Sequence, residues 1–597
     1  MTDRTRPAGD PEPHSPAVTR RRLLCSAGAG ALAAALAGLP SGTALASRGA
    51  VVPDDGAPGF TEVPVAGADR LTVPPGYTAR VLLPWGAPIA PGGPAWRPDA
   101  SDTADRARQQ VGTGHGGLHY LPMGPSRAGT RDGLLVLGHS TLDPVLLHPG
   151  AHGAGTAEGT AKEIASLGAT VVRVELAEGR WRMAHDELNR RVTADTPVVF
   201  SGPLAGHAAL DTGEEPLGTT GGSAHAVTPW NTYLTGEDTF ADAFGTRERS
   251  WRPGAAHDAY GLTADSVRGW HRHLDRFDLA RTPGEADRFG WVVEIDPFDP
   301  QAPPAKRTAL GRLGHTGLAV GGSRGRPVVY MSDTAHVYKF VAARPWAESR
   351  RPGSSPLDEG TLYALRLDGD GTGAWLPLAH GRSGLTARDG FADQAAVLLR
   401  AREAAAAVGA TGFQGPGRPA VHPDSGEVYL PEADGGGGGR LIAWTEGAGD
   451  HAATVMAWRE FARAGAGRGT VFASPGGVFS GADGRMWIST DVAHLGRDAS
   501  REQLGNSALL CADAAGRSVR RFMTGPRGSG IAGVGATPDQ RTLFVAVRGP
   551  GTSDARWGEP TARNPRAVGN WPGFDPGGRA RCAVVAVRKD DGGIVGT

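Results

Sequence analysis

Short apolar and β-branched runs, each entered through a polar turn, recur along most of this chain. Arg326 to Asp333 (RPVVYMSD), Gly426 to Pro431 (GEVYLP), Gly484 to Asp491 (GRMWISTD) and Gln540 to Val547 (QRTLFVAV) follow turns at Gly321–Gly325, His422–Ser425, Ser480–Asp483 and Thr537–Asp539. The same cadence occurs at Asp132 to Gly138. Aromatic and β-branched residues suit a pleated, half-buried surface, so each run predicts a strand. Irregularly spaced turn-then-strand similarity is what diverged blades look like, and the predicted fold is all-β, a β-propeller of about six blades with helical insertions. Helical patches are expected at Ser101 to Gln110 and at the Ala-rich stretch Asp389 to Val408. Arg247 to Asp287 reads as a long insertion with an amphipathic piece around Asp265 to Asp278, and the five glycines at 435–439 as a mobile loop.

The first residues carry an address. Thr19-Arg20-Arg21-Arg22-Leu23-Leu24 is a twin-arginine signal, followed by an Ala/Leu/Gly-rich stretch and by the small-residue cleavage pattern Ala44-Leu45-Ala46. The apolar run is too short for a stable membrane span, so export with cleavage near Ala46 is expected, uncleaved anchoring being the alternative. The predicted organisation is a signal peptide at 1–46, a flexible mature N-terminus at 47–70 and a single propeller domain at 71–597.

Charge narrows the partners. The chain has 62 basic and 62 acidic residues; removing residues 1–46 takes away five Arg and three acids and leaves 57 against 59. A near-neutral protein gives no reason to expect a nucleic acid or an anionic membrane surface as partner. Lys occurs only at 162, 306, 339 and 589, so Arg supplies nearly all positive charge. After cleavage Cys511 and Cys582 remain, as one disulfide or as two buried thiols.

Several motifs fail on context. Gly321-Gly322-Ser323-Arg324-Gly325 has nucleophile-elbow spacing, but a strand follows where that device needs a helix. Neither a P-loop, a CxxC nor an HExxH is present. His115 and His119 are separated by Gly116 and Gly117, which argues for a turn and a packed strand histidine over a helical metal pair. Asp368-Gly369-Asp370-Gly371 starts like a calcium loop but lacks the distal Glu, and reads as a hairpin turn. The run His225 to Asp238 is more informative, because Glu237 and Asp238 stand together at the end of a predicted strand, where they either hold a hard cation or form a solvated turn.

Leu71-Thr72-Val73-Pro74-Pro75-Gly76-Tyr77, Asn189 to Thr193, Ser201-Gly202-Pro203, Thr228-Pro229-Trp230 through Asp238, Arg288 to Pro297, Lys306 to Arg312, Val337 to Val341 and Gly360 to Tyr363 together resemble the PhoX family of secreted bacterial alkaline phosphatases, in order from about residue 70 to about residue 590. The resemblance implies a propeller with calcium and iron in its channel, hydrolysing phosphomonoesters after twin-arginine export. Clustered cations would there neutralise phosphoryl oxygens and hold an oxygen nucleophile for in-line displacement.

Position by position, this chain departs from that pattern where ligands are expected. A family Cys corresponds to Ser223, and a family Glu to Thr316 in His315-Thr316-Gly317. The Asp-Arg-Pro-Glu segment is here Gln414-Gly415-Pro416-Gly417, so Gly415 and Gly417 replace a phosphate-facing Arg and an acid. An Asn-Asn loop has become Asp434 and the glycine run, and Gly138-His139-Ser140 stands for Asn-His-Glu. Gly530-Ile531-Ala532-Gly533 stands for Glu-Val-Thr-Gly, and Arg548-Gly549-Pro550-Gly551 for Gln-His-Pro-Gly. The losses fall on the places where the resemblance expects ligands, while strand and turn residues persist. The expectation is a family member with a dismantled metal site, Glu237 and Asp238 surviving as its carboxylates and calcium retained at most in a simpler site. Ser223, Thr316 and His225 would be neutral neighbours of any surviving site. His139, His207 and His315 read as packed or surface residues. Two functions follow: a metal-dependent phosphoesterase acting on a phosphorylated small molecule, or a non-catalytic extracellular propeller binding a glycan, peptide or cell-surface partner.

Overall fold

The computed structural model describes residues 58–597 apart from 125–128, 151–154, 350–353, 435–437, 465–471, 494, 496–502, 514–515 and 517. The expected signal peptide at 1–46, the first part of the expected flexible N-terminus (47–57) and part of the glycine loop therefore lie outside the described residues.

Six blades stand around one axis, and all five of the turn-then-strand runs are the second strand of a blade. Blade 1 is His115–Pro122, Asp132–His139, Gly168–Ala177 and Arg180–Ala184. Blade 2 is His225–Val227, Tyr233–Gly236, Val292–Ile295 and Ala305–Arg307, with Val199–Ser201 added in parallel at its edge. Blade 3 is Gly317–Ser323, Arg326–Ser332, Val337–Ala342 and Gly360–Leu367. Blade 4 is Ala420–Val421, Val428–Glu432, Arg440–Glu446 and Val455–Arg463. Blade 5 is Pro475–Ser480, Met486–Thr490, Ala508–Ala512 and Val519–Thr524. Blade 6 is Gly530–Ala536, Leu543–Arg548 and Ala583–Lys589, completed by Tyr77–Pro84 from the other end of the domain.

The innermost strands neighbour one another in the order 1-2-3-4-5-6-1, which makes the ring a propeller. One further strand, Thr372–Pro377, pairs with the outer strands of both blade 3 and blade 4 and fuses them into a nine-stranded sheet. The turn before it is the Asp368–Gly371 hairpin, closed by the Asp368 N–H on the Thr372 carbonyl at 2.8 Å.

Apolar faces of adjacent blades supply the core. Between blades 6 and 1, Leu118, Leu135, Trp181, Phe544 and Val584 are buried together, with the Tyr120 and Phe544 rings stacked at 5.3 Å. The lead-in expected to be flexible is anchored from residue 58 on: Phe60 and Val63 are buried, and the Gly59 and Val63 N–H groups donate to the Gly596 and Arg521 carbonyls, both at 2.9 Å. Apolar side chains at 60 and 63 give that segment a face to bury.

The insertions are less helical than their patterns predict. Ala104–Ala107 is a single turn, and the Asp389 to Val408 stretch is two helices, Gln394–Leu399 and Ala401–Ala407, broken at Arg400 (φ −115°, ψ 37°). Arg247 to Asp287 holds one short helix, Ala255–Ala259, and 3₁₀ turns at Trp270–Arg272, Asp275–Phe277 and Glu285–Arg288. Buried Trp270 and Phe277 pin it, and Trp270 donates to the Glu163 carboxylate at 2.6 Å. Cys511 and Cys582 are buried free thiols. Among the described residues no helix is long and apolar enough to cross a membrane.

Candidate functional site at the channel mouth

Antiparallel pairing puts the start of each inner strand beside the end of the second strand: His115 opposes His139, Gly317 Ser332, Pro475 Thr490 and Gly530 Arg548. All of these lie at the same rim. Residues just outside these pairs therefore converge on the channel mouth, and they are Ser140, Ser223, Asp238, Thr316, Asp333, Gly417 and Asp491.

Glu237 and Asp238 part company there. Successive side chains at a strand end point to opposite sides. Glu237 turns into the blade and is fully buried, accepting from Lys306 Nζ at 3.0 Å and from the Gly290 and Trp291 N–H groups at 2.8 and 3.1 Å. Lys306 is equally buried and also donates to the Arg288 carbonyl at 2.6 Å. Burial pulls the Lys306 ammonium down and the Glu237 carboxylate opposes that pull.

Asp238 faces the mouth. Its carboxylate accepts from the Ser223 and Thr239 N–H groups at 3.1 and 2.7 Å. Burial raises its pKa, against those two bonds and the positive charges of Arg548 and Arg268. Arg548 pairs with Asp491 and donates to the Ser223 hydroxyl at 3.3 Å, while Ser223 and Ser140 hydroxyls lie 3.3 Å apart. Arg268, delivered by the long insertion, donates to the Thr239 hydroxyl at 3.1 Å and the Ser140 carbonyl at 3.3 Å. A cavity of about 460 Å³ opens beside this cluster, lined by Asp491, Arg548, Thr113, Asp143 and Cys582.

The other acid at the rim is taken as well. Asp333 accepts from the Ala335 and His336 N–H groups, both at 2.7 Å, and from the Tyr338 hydroxyl at 3.1 Å, and its second oxygen lies 3.1 Å from Arg402. Thr316 spends its hydroxyl on the Pro416 carbonyl (2.9 Å) and on Ser332 (3.0 Å), tying blade 3 to the strand that leads into blade 4. Gly417 has no room for a side chain, because a Cβ there would stand 2.5 Å from the Gly476 carbonyl oxygen. At Gly530 a Cβ would meet the Asp491 carboxylate at 2.5 Å. Gly415 has space around it but sits at φ +86°, where an L side chain is strained. The structure thus brings Ser223 and Asp238 together, holds Thr316 nearby at the rim, and separates Glu237 from them.

The donor set decides what this mouth can hold. Hard cations want six to eight oxygen donors each at about 2.3–2.6 Å. Among the described residues no three His, Cys, Asp or Glu side chains converge in that way. The carboxylates present accept from N–H groups or pair with guanidinium and ammonium groups, so a calcium and iron cluster does not fit them. Sequence reading missed Asp491 and Arg268. Asp491 closes the GRMWISTD run as Asp333 closes RPVVYMSD, and that shared place was the available signal. Arg268 arrives on an insertion with no repeat to mark it.

The profile of the family described as alkaline phosphatase PhoX matches residues 58–551. Among solved structures, Pseudomonas fluorescens PhoX in complex with vanadate, a transition state analogue, is similar with 36% identity and a TM-score of 0.82, covering 90% of this chain and 99% of that one. The PQQ-bound aldose sugar dehydrogenase of Streptomyces coelicolor aligns over 87% of this chain and 100% of its own at 11% identity and a TM-score of 0.28, too low to inform the reading. No curated protein matches.

Proposed function

This chain belongs to the PhoX alkaline phosphatase family, and from that premise we propose that it is an exported member in which metal-dependent phosphomonoester hydrolysis has been lost. One observation carries the reading: the negative charge left at the mouth is neutralised from within, Asp491 by Arg548 and Asp333 by Arg402, with Arg548 and Arg268 acting on Asp238, while Glu237 is withdrawn into the blade against Lys306. A cation entering this ring would have to displace guanidinium groups that are already covalently part of the protein. Protein charges in that position need no recruitment from solution, and they compete with calcium at every concentration of it.

Loss of ligand residues alone would leave a vacancy; here the neighbours have closed in. The Gly476 carbonyl stands where a side chain of residue 417 would begin, and Thr316 bonds across the rim instead of pointing into it. No step of phosphoryl transfer is assigned to these residues. The mouth cavity beside Arg548 remains large enough for a small ligand, which favours a non-catalytic binding role as the second reading, with a glycan, peptide or cell-surface group as its partner.

Elemental analysis of the folded, exported protein, together with hydrolysis of an aryl phosphate in added calcium and iron, tests the proposal. The expected result is no stoichiometric iron and no turnover above background. Stoichiometric iron with turnover abolished by Asp238→Ala would overturn it.

A further inference from the structure

Below the mouth, on the propeller axis, lies a separate cavity of about 200 Å³. Every blade contributes to its wall: His119, His225, Ala319, Arg418, Val478 and Val534 come from, or directly adjoin, the six inner strands in turn. One charged side chain reaches into it. Arg418 directly follows the Gln414–Gly417 segment and is only 8% exposed.

The Arg418 guanidinium is held by neutral groups. Its Nη2 donates to the Ala532 carbonyl at 2.6 Å and to the Ser489 hydroxyl at 3.3 Å. It lies flat over Gly477, where a Cβ would stand 2.8 Å from both Cζ and Nε. The glycine thus provides a slot that fixes the plane of the fork. Among the described residues no carboxylate comes within ion-pair distance of it. The charges that act on it are Arg548, of the same sign, and the Tyr233 phenol, which burial keeps protonated.

A buried guanidinium cannot relieve its desolvation by losing its proton near neutral pH. Burial, with Arg548 adding to it, lowers the Arg418 pKa only to about 10. The two imidazoles in the wall are neutral, pushed by burial down to about 4 at His119 and about 3 at His225. They add hydrogen-bonding capacity without adding charge. An unpaired buried charge is costly unless something compensates it, and among the described residues Arg418 has only these two neutral acceptors and no counter-charge.

We propose that the axial channel binds one small oxyanion, a carboxylate or phosphate group, with Arg418 as its charge partner and His119 and His225 beside it. The fork geometry of a guanidinium matches both groups bidentately. The cavity is smaller than the roughly 300–1,000 Å³ that hold drug-sized ligands, which restricts the guest to a few heavy atoms. The site is distinct from the mouth and does not depend on whether phosphatase activity is lost.

Isothermal titration of the mature full-length chain with inorganic phosphate, and separately with acetate, in a chloride-free buffer tests this. One-to-one binding is expected for at least one probe: phosphate alone identifies the tetrahedral anion, acetate alone the carboxylate. Arg418→Gln is expected to weaken binding at least tenfold, and Gly477→Ala to do the same by displacing the guanidinium. Arg548→Gln is expected to retain binding, since it removes a like charge. Absence of binding by the unmodified chain overturns the proposal, as does unchanged affinity in Arg418→Gln. Binding lost in Arg548→Gln but kept in Arg418→Gln would place the anion at the mouth and also overturn it. If Arg418→Gln does not fold by circular dichroism, Arg418→Lys replaces it; the lysine keeps the charge but loses the fork, and an affinity equal to the unmodified chain would count against the site.

Discussion

Replacing Lys306 by Met tests whether Glu237 is a structural acid. Both side chains are fully buried and 3.0 Å apart, and the Lys306 ammonium also lies 4.1 Å from the Phe289 ring centroid. Met preserves much of the stem's volume but leaves the Glu237 carboxylate with two backbone N–H donors and no counter-charge. Breaking one side of a buried pair costs about 3–5 kcal/mol, a fall of roughly two to three and a half orders of magnitude in the folding equilibrium at 1.4 kcal/mol per factor of ten. Equilibrium urea unfolding, followed by tryptophan fluorescence and circular dichroism, reads this directly. The double variant Glu237→Gln, Lys306→Met is expected to recover more than half of the loss, because the amide no longer needs the ammonium. Saturating calcium is expected to leave all midpoints unchanged. A loss under about 1 kcal/mol in Lys306→Met, below the range for a buried pair, or its rescue by calcium, would refute the reasoning and return Glu237 to the list of cation ligands.

Gly417→Glu, which restores an acid at a place the family resemblance marks, is expected to lower the thermal midpoint without creating phosphatase activity, since its Cβ meets the Gly476 carbonyl at 2.5 Å; a stable variant with iron-dependent turnover would contradict this. Burial pushes the Asp278 carboxyl up, but hydrogen bonds from the Thr246 hydroxyl and from Arg247 and Ala280 N–H groups outweigh it and bring the pKa down to about 2. The unfolded group titrates near 3.8, so Asp278 stabilises the fold above that pH, and its contribution is lost as pH falls from about 3.8 to about 2. The difference in unfolding midpoint between Asp278→Asn and the unmodified protein should accordingly shrink through that window in acid titrations. Conversion of Arg20 and Arg21 to Lys is expected to hold the uncleaved chain inside the cell, measured by fractionation, with N-terminal sequencing of the exported form placing cleavage near Ala46.

What the sequence discloses follows from where water is excluded. The runs at Asp132, Arg326, Gly426, Gly484 and Gln540 all fall on second strands, which lie between an inner and a third strand and pack apolar side chains on both faces. Such strands are dense in Val, Leu, Ile and aromatic residues. Inner strands carry a weaker signal because the axis is crowded: Gly530–Ala536 reads GIAGVGA, and a Cβ at Gly533 would stand 2.6 Å from the Gly116 carbonyl. The site was half legible for the same reason. Two adjacent acids look like one ligand pair in a string of letters, whereas pleating sends Glu237 to Lys306 and Asp238 to the mouth. Lys306 was visible only as one of four lysines, and its partner is 69 residues away. Arg418 sits in an unremarkable Gly-Arg-Pro, and only the closed ring shows that it points at the axis.

Closure of that ring has a consequence for biosynthesis. Tyr77–Pro84 is the first strand of the domain to leave the ribosome, yet its partner Ala583–Lys589 lies at the far end of the domain. Until Ala583–Lys589 is made the first strand has no edge to pair with, because the other three strands of blade 6 follow it by more than four hundred residues. The ring therefore closes only after the whole domain has been made. A translocation route that threads nascent polypeptide would carry Tyr77–Pro84 out of the compartment before its partner existed. A route that accepts closed rings, the kind the proposed Arg20-Arg21 signal would use, would let both ends meet on the same side of the membrane.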